Sequence, residues 1–159
     1  HSATWPEGVT LGFRSGLPQL ELKLHVDDKA MIPDRDKAEA LLQELIGDHI
    51  IGHDDDQLAM ALQRALIESQ MTVTTAESCT GGLIASLITR EAGSSQVFGS
   101  GFVTYANTGK NRILGVPKAT LVKHGAVSEP VVLAMLEGAL AKSQSDIGIA
   151  VSGIAGSET

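Results

Sequence analysis

Ser78, Cys79 and Thr80 stand side by side and are followed by Gly81 and Gly82, so three possible nucleophiles meet a glycine pair. Residues 73–75 are β-branched and read as the end of a short strand. Beyond the glycines, Leu83, Ile84, Leu87 and Ile88 fall at the spacing of one helix face. A strand that turns through residues 77–82 into a helix aims backbone N–H groups at whatever occupies the turn, which makes a place for an anion or a developing oxyanion. A helix cap from Ser78 or Thr80, with glycines that permit close packing, accounts for the same residues without chemistry. A second stretch, residues 101–110, delivers Tyr105, Asn107 and Lys110 at the exit of a strand, where α/β sheets place function. A lysine beside a serine in a glycine loop can act as its base when burial disfavours the ammonium. A solvated lysine at a helix start fits the spacing equally well. Gly109-Lys110 is not a phosphate-binding P-loop, because Thr104 holds the place of the first glycine and Asn111 that of the Ser or Thr.

The elements around these residues alternate between strand and helix. A helix is expected over residues 57–69, with Leu58, Leu62, Ala65 and Leu66 on its apolar face. Residues 92–95 break the helix that follows the turn. Residues 97–105 read as a buried strand that Gly99 and Gly101 weaken. Short helices are expected over 108–114 and 119–124. Ser128 is placed to cap a longer helix with Pro130 in its first turn and Val132, Met135, Leu136, Ala139 and Leu140 facing the core. Residues 147–151 are nearly all apolar, as expected at the centre of a sheet covered on both faces. The alternation predicts an α/β domain over residues 53–159, a three-layer α/β/α sheet.

Residues 1–52 read as a small α+β unit of their own. Strands are expected over 10–13 and 20–26, joined by turn chemistry at Gly16-Leu17-Pro18. A helix with Ala38, Leu41, Leu42, Leu45 and Ile46 on one face ends near Gly47, and residues 49–51 make a possible last strand. The boundary is placed at residues 52–56. There, Asp54, Asp55 and Asp56 are read as an acidic helix start favoured by the helix dipole, not as metal ligands with His53, and no metal site is expected.

The 159 residues allow one domain or one and a half. Twelve Lys and Arg against nineteen Asp and Glu give a net charge of −7, which argues against nucleic acid or an anionic membrane as the main partner. One cysteine excludes an intramolecular disulfide framework. No run is long enough to span a bilayer, so a cytoplasmic protein is expected. Both ends read as cuts: the chain starts without Met and stops in a glycine-containing loop just after a strand, so the second domain is expected to be truncated.

Four motifs occur in order: residues 76–82, residues 101–105 with Asn107 and Lys110, residues 124–131, and Ser152-Gly153-Ile154-Ala155-Gly156. Together they resemble the C-terminal domain of the competence/damage-inducible CinA family, which is shared with stand-alone nicotinamide-nucleotide amidases. The first fifty residues resemble the small KH-like domain that precedes it. The resemblance implies hydrolysis of nicotinamide mononucleotide to nicotinate mononucleotide and ammonia, in pyridine nucleotide recycling, by a Ser/Lys mechanism without metal or cofactor. It implies Ser78 as nucleophile, Lys110 as base, and Tyr105 assisting proton transfer or holding Lys110. Cys79, Thr80, Gly81, Gly82, Thr104, Asn107, Gly153, Ala155 and Gly156 would line the substrate pocket, with Arg112 facing the phosphate. A homo-oligomer is the expected assembly. The family usually continues Gly-Ile-Ala-Gly-Pro, whereas Ser157 follows Gly156 here.

The competing class is a non-catalytic regulatory or nucleic-acid-linked binding module. A KH surface needs a GXXG loop against the backbone, and residues 1–51 contain no such spacing. Between Asp27 and Asp56 acids outnumber Lys29, Arg35 and Lys37, which repels phosphates, so a structural spacer fits that segment better.

Overall fold

The computed structural model describes residues 4–16, 19–54 and 56–156. The chain forms two compact units, the first ending at Leu58 and the second beginning at Ala59.

In the first unit β1 (Thr10–Gly16) and β2 (Gln19–His25) pair antiparallel, Thr10 opposite His25 and Gly16 opposite Gln19. The expected turn residues Leu17 and Pro18 lie outside the described residues. Asp28 accepts from the Ala30 amide at 2.9 Å and caps a 3-10 turn that leads into α1 (Ile32–Ile46), with Pro33 in its first turn. Ala38 is fully buried, but Leu45, placed on the apolar face by its spacing, is 67% exposed. Residues 49–51 do not form the expected strand. His49 closes a 3-10 turn, with the Ile50 amide returning to the Gly47 carbonyl at 3.0 Å. A short apolar run becomes a strand only beside a ladder partner, and among the described residues none is offered. The acidic helix start is also corrected. The Asp56 carboxylate accepts from the His53 amide at 3.3 Å in a turn that precedes α2 (Leu58–Glu68), side chain competing with helix for the backbone.

The second unit is built on a three-stranded parallel sheet in the order β4-β3-β5. The strands are β3 (Val73–Glu77), β4 (Gly101–Val103) and β5 (Ile147–Val151). All five residues of β3 are buried, so β3, not β5, is the central strand. Side chains alternate across it. On one face Val73 packs with Leu66 of α2, with Ile88 of α3 (Leu83–Thr89) and with Val97. On the other, Ala76 packs with Leu114 of α4 (Asn107–Leu114), Leu121 of α5 (Lys118–His124), and Val131 and Met135 of α6 (Glu129–Ser143). The result is helix, sheet and helix in three layers.

Two departures have local causes. The strand expected over 97–105 shrinks to three residues, because Val97 ends a 3-10 turn and gives its carbonyl to the Val73 amide at 2.7 Å. Ser128 occupies the N-cap position of α6, but its hydroxyl turns back to the Gly125 carbonyl at 2.9 Å.

The α4–α6 contact depends on Gly138, where an added Cβ would fall on the Leu114 carbonyl. Backbone cannot rotate away as a side chain can. Gly138→Ala is therefore expected to destabilise the second unit by about 1–3 kcal/mol, the usual cost of overpacking. A thermal melt unchanged from the parent would show that the helices separate without loss.

Candidate active site

The carboxyl ends of β3, β4 and β5 lie together, and each contributes to one cluster. Ser78 directly follows β3, and its amide donates to the Val151 carbonyl of β5 at 3.0 Å. Gly81 and Gly82 then take φ of 61° and 101°, the left-handed region that favours glycine. A Cβ at Gly82 would also sit 3.3 Å from Val103 of β4. From the β4 exit, Thr104 donates its amide to the Glu77 carbonyl at 2.8 Å, which ties that exit to the end of β3.

Lys110 closes the cluster. It is 1% exposed, and its Nζ reaches Ser78 Oγ at 2.8 Å, the Thr104 carbonyl at 2.9 Å and the Tyr105 carbonyl at 3.0 Å. No carboxylate hydrogen-bonds to Nζ among the described residues. Burial pushes the Lys110 pKa below the ordinary lysine value, opposed only by the nearby Cys79. The three contacts suit both protonation states. An ammonium donates to all three oxygens. A neutral amine donates to the two carbonyls and turns its lone pair toward the Ser78 hydroxyl.

Glu77 is the residue that sequence reasoning passed over as part of the turn. It is the last residue of β3 and fully buried. Its Oε2 accepts from the Gly82 and Ile84 amides, each at 3.0 Å, and its Oε1 from the Ala85 amide at 2.8 Å. Burial pushes this carboxyl up. The bonds from Ala85, Ile84 and Gly82, with help from the nearby Thr80 hydroxyl, outweigh it and hold the pKa below the ordinary value. Among the described residues, the Thr80 hydroxyl itself makes no hydrogen bond of good geometry. The helix amides expected to face an incoming anion are thus largely occupied. An acid one residue before a candidate nucleophile, at the end of a strand, was the available signal.

The remaining predicted residues divide. Thr104 is buried beside Lys110, with a hydroxyl that has no hydrogen-bond partner among the described residues. Gly153 lies against Cys79, since a Cβ there would be 3.0 Å from Sγ. Ser152, just before it, donates to the Ala126 carbonyl at 2.8 Å and brings the loop around residue 126 to the same edge. Tyr105, a residue 66% exposed, holds Lys110 through its backbone carbonyl. Asn107 is exposed one helical turn before Lys110 on α4. Arg112 is exposed and lies two positions past Lys110, about 200° around a helix, so α4 turns it away from the lysine. Ala155 and Gly156 are exposed beyond β5.

This arrangement of strand-end serine and buried lysine sits on a domain that has known relatives. Residues 55–159 match the family model described as the CinA C-terminal domain, and the chain belongs to that family. It is 46% identical over 151 residues to a CinA-like protein of Shewanella piezotolerans, covering 95% of this chain and 36% of that protein. It is 55% identical over 118 residues to a putative competence-damage inducible protein of Symbiobacterium thermophilum, covering 74% of this chain and 28% of the relative. The chain thus spans well under two thirds of these curated relatives. Among solved structures, the competence damage-inducible protein A (ComA) of Klebsiella pneumoniae superposes with a TM-score of 0.63 at 44% identity, over 64% of this chain and 63% of that one.

Proposed function

We propose that the second unit is a nicotinamide-nucleotide amidase domain that converts nicotinamide mononucleotide to nicotinate mononucleotide and ammonia. The observation that carries the chemistry is the 2.8 Å contact between Lys110 Nζ and Ser78 Oγ, in a buried setting that lowers the lysine pKa. The choice of substrate rests on the CinA resemblance of the four motifs.

Neutral Lys110 takes the Ser78 proton as Oγ attacks the amide carbonyl carbon, and the carbonyl oxygen becomes an oxyanion. Collapse breaks the C–N bond, and the Lys110 ammonium returns its proton to the leaving nitrogen, which departs as ammonia. Water then attacks the Ser78 acyl ester, losing a proton to Lys110. Collapse releases the carboxylic acid as Ser78 recovers its proton. Buried Thr104 and the Gly153 loop border this centre and are assigned to the substrate. Asn107 and Tyr105 are assigned to its open side, and Arg112 is not retained. In the same reading the protein is a cytoplasmic homo-oligomer, and the hairpin and helix of the first unit belong to a KH-like segment that serves as a spacer.

The test is ammonia release from nicotinamide mononucleotide by the purified protein, followed with a coupled dehydrogenase. Nucleophile and base both come from the chain, so turnover is expected to survive dialysis against a chelator. No ammonia release overturns the amidase assignment. Loss on chelation that one added metal restores overturns the Ser/Lys mechanism.

A further inference from the structure

The turn after β3 carries more backbone N–H groups than one oxyanion needs, and the structure sorts them. Gly82, Ile84 and Ala85 donate to the Glu77 carboxylate. Ser78 donates to Val151, Gly81 to the Ser78 carbonyl, Leu83 to the Thr80 carbonyl and Ser86 to the Gly82 carbonyl. Among the described residues, no acceptor in the protein takes the amide of Cys79 or of Thr80.

We propose that Glu77 is a positioning residue: by gathering the first amides of α3 into its carboxylate it fixes the turn so that the Cys79 and Thr80 amides receive the oxyanion. This rests on the reading of Ser78 as nucleophile. Two features support it. The Glu77 carboxylate is fully buried and is acceptor-only, so each N–H it collects is a charge-assisted bond that holds the turn rigid. Its own carbonyl accepts from Thr104, whose carbonyl in turn accepts from Lys110 Nζ. One residue thereby ties the nucleophile's turn to the segment that holds the base.

Glu77→Gln keeps the shape but puts an NH₂ where an oxygen met an amide N–H. In a folded variant, kcat for nicotinamide mononucleotide is expected to fall about 10²-fold, the scale of one misplaced oxyanion donor. KM should stay within about twofold, since ground-state binding is untouched. The pH midpoint of kcat should not move, because Lys110 keeps its neighbours. A folded Glu77→Gln with parental kcat, or a loss confined to KM, overturns the inference.

A second measurement does not depend on that variant folding. Phenylboronic acid adds to a reactive serine as a tetrahedral anion. In ¹H–¹⁵N spectra of the unaltered protein its adduct should shift the Cys79 and Thr80 amides most. The largest shifts at Gly82, Ile84 and Ala85 would mean that Glu77 surrenders its amides, and would overturn the inference. An adduct on Ser78 that shifts Cys79 and Thr80 without any amidase turnover would sink the substrate assignment and leave the role of Glu77 standing. No adduct on Ser78 would overturn both.

Discussion

Ser78→Ala is expected to abolish ammonia release from nicotinamide mononucleotide, a loss of at least about 10³-fold, while Cys79→Ala keeps most of the rate. The scale is that of removing a covalent nucleophile whose partners cannot act without it. Ser78 Oγ is the only side-chain oxygen within hydrogen-bond reach of Lys110 Nζ among the described residues. Cys79 Sγ lies against the Gly153 loop instead, so its truncation removes packing and spares the amide. Ser78→Ala leaves Lys110 with two carbonyl partners in a dry setting, so some loss of stability should accompany it. Melting curves separate that from the chemistry. A dead Cys79→Ala beside an active Ser78→Ala would make the thiol the nucleophile.

Lys110→Arg is expected to be inactive although it keeps the positive charge. Arginine stays protonated at any accessible pH and is bulkier than the slot that leaves Lys110 only 1% exposed. In the unaltered protein, kcat should rise with pH through one ionisation. The sign follows from the proposed mechanism, in which the neutral amine is the active form: burial moves its formation to lower pH than the ordinary lysine value of 10.5. If Lys110 only anchored the phosphate, Lys110→Arg would retain turnover and chiefly change KM, and KM would rise as the ammonium was lost at high pH.

Much of this was legible in residue spacing. The β-branched residues 73–75, the glycine pair and the apolar face from Leu83 indicated a strand-turn-helix, and the structure has one there, although its strand begins at Val73 and runs on to Glu77 instead of ending at Thr75. The parallel sheet and the helices around it followed from the alternation of patterns. What spacing could not show was which strand is central. Both residues 73–77 and 147–151 are short and poor in charge, and only the ladder distinguishes β3 from β5. It also could not show that Glu77 turns inward, because a glutamate is usually solvated and its burial here depends on three amides from a helix that follows. Tyr105 misled for a related reason. An aromatic hydroxyl near a lysine suggests a side-chain contact, whereas backbone carbonyls made the contact. In the first unit the apolar spacing is less informative: Leu45 is exposed, and residues 49–51 close and follow a 3-10 turn instead of forming a strand.

The missing side chain at Gly138 has a consequence for anyone wishing to move this chemistry elsewhere. Lys110 rides on α4, and the bare backbone of α6 at Gly138 lets the two helices meet at the Leu114 carbonyl, one turn beyond the lysine. A graft that copied every polar group of the serine–lysine centre onto another α/β scaffold, but carried an ordinary residue at this crossing, would force apart the helix that bears the lysine and the one packed against it. The minimal transplantable unit therefore includes a residue with no functional group at all.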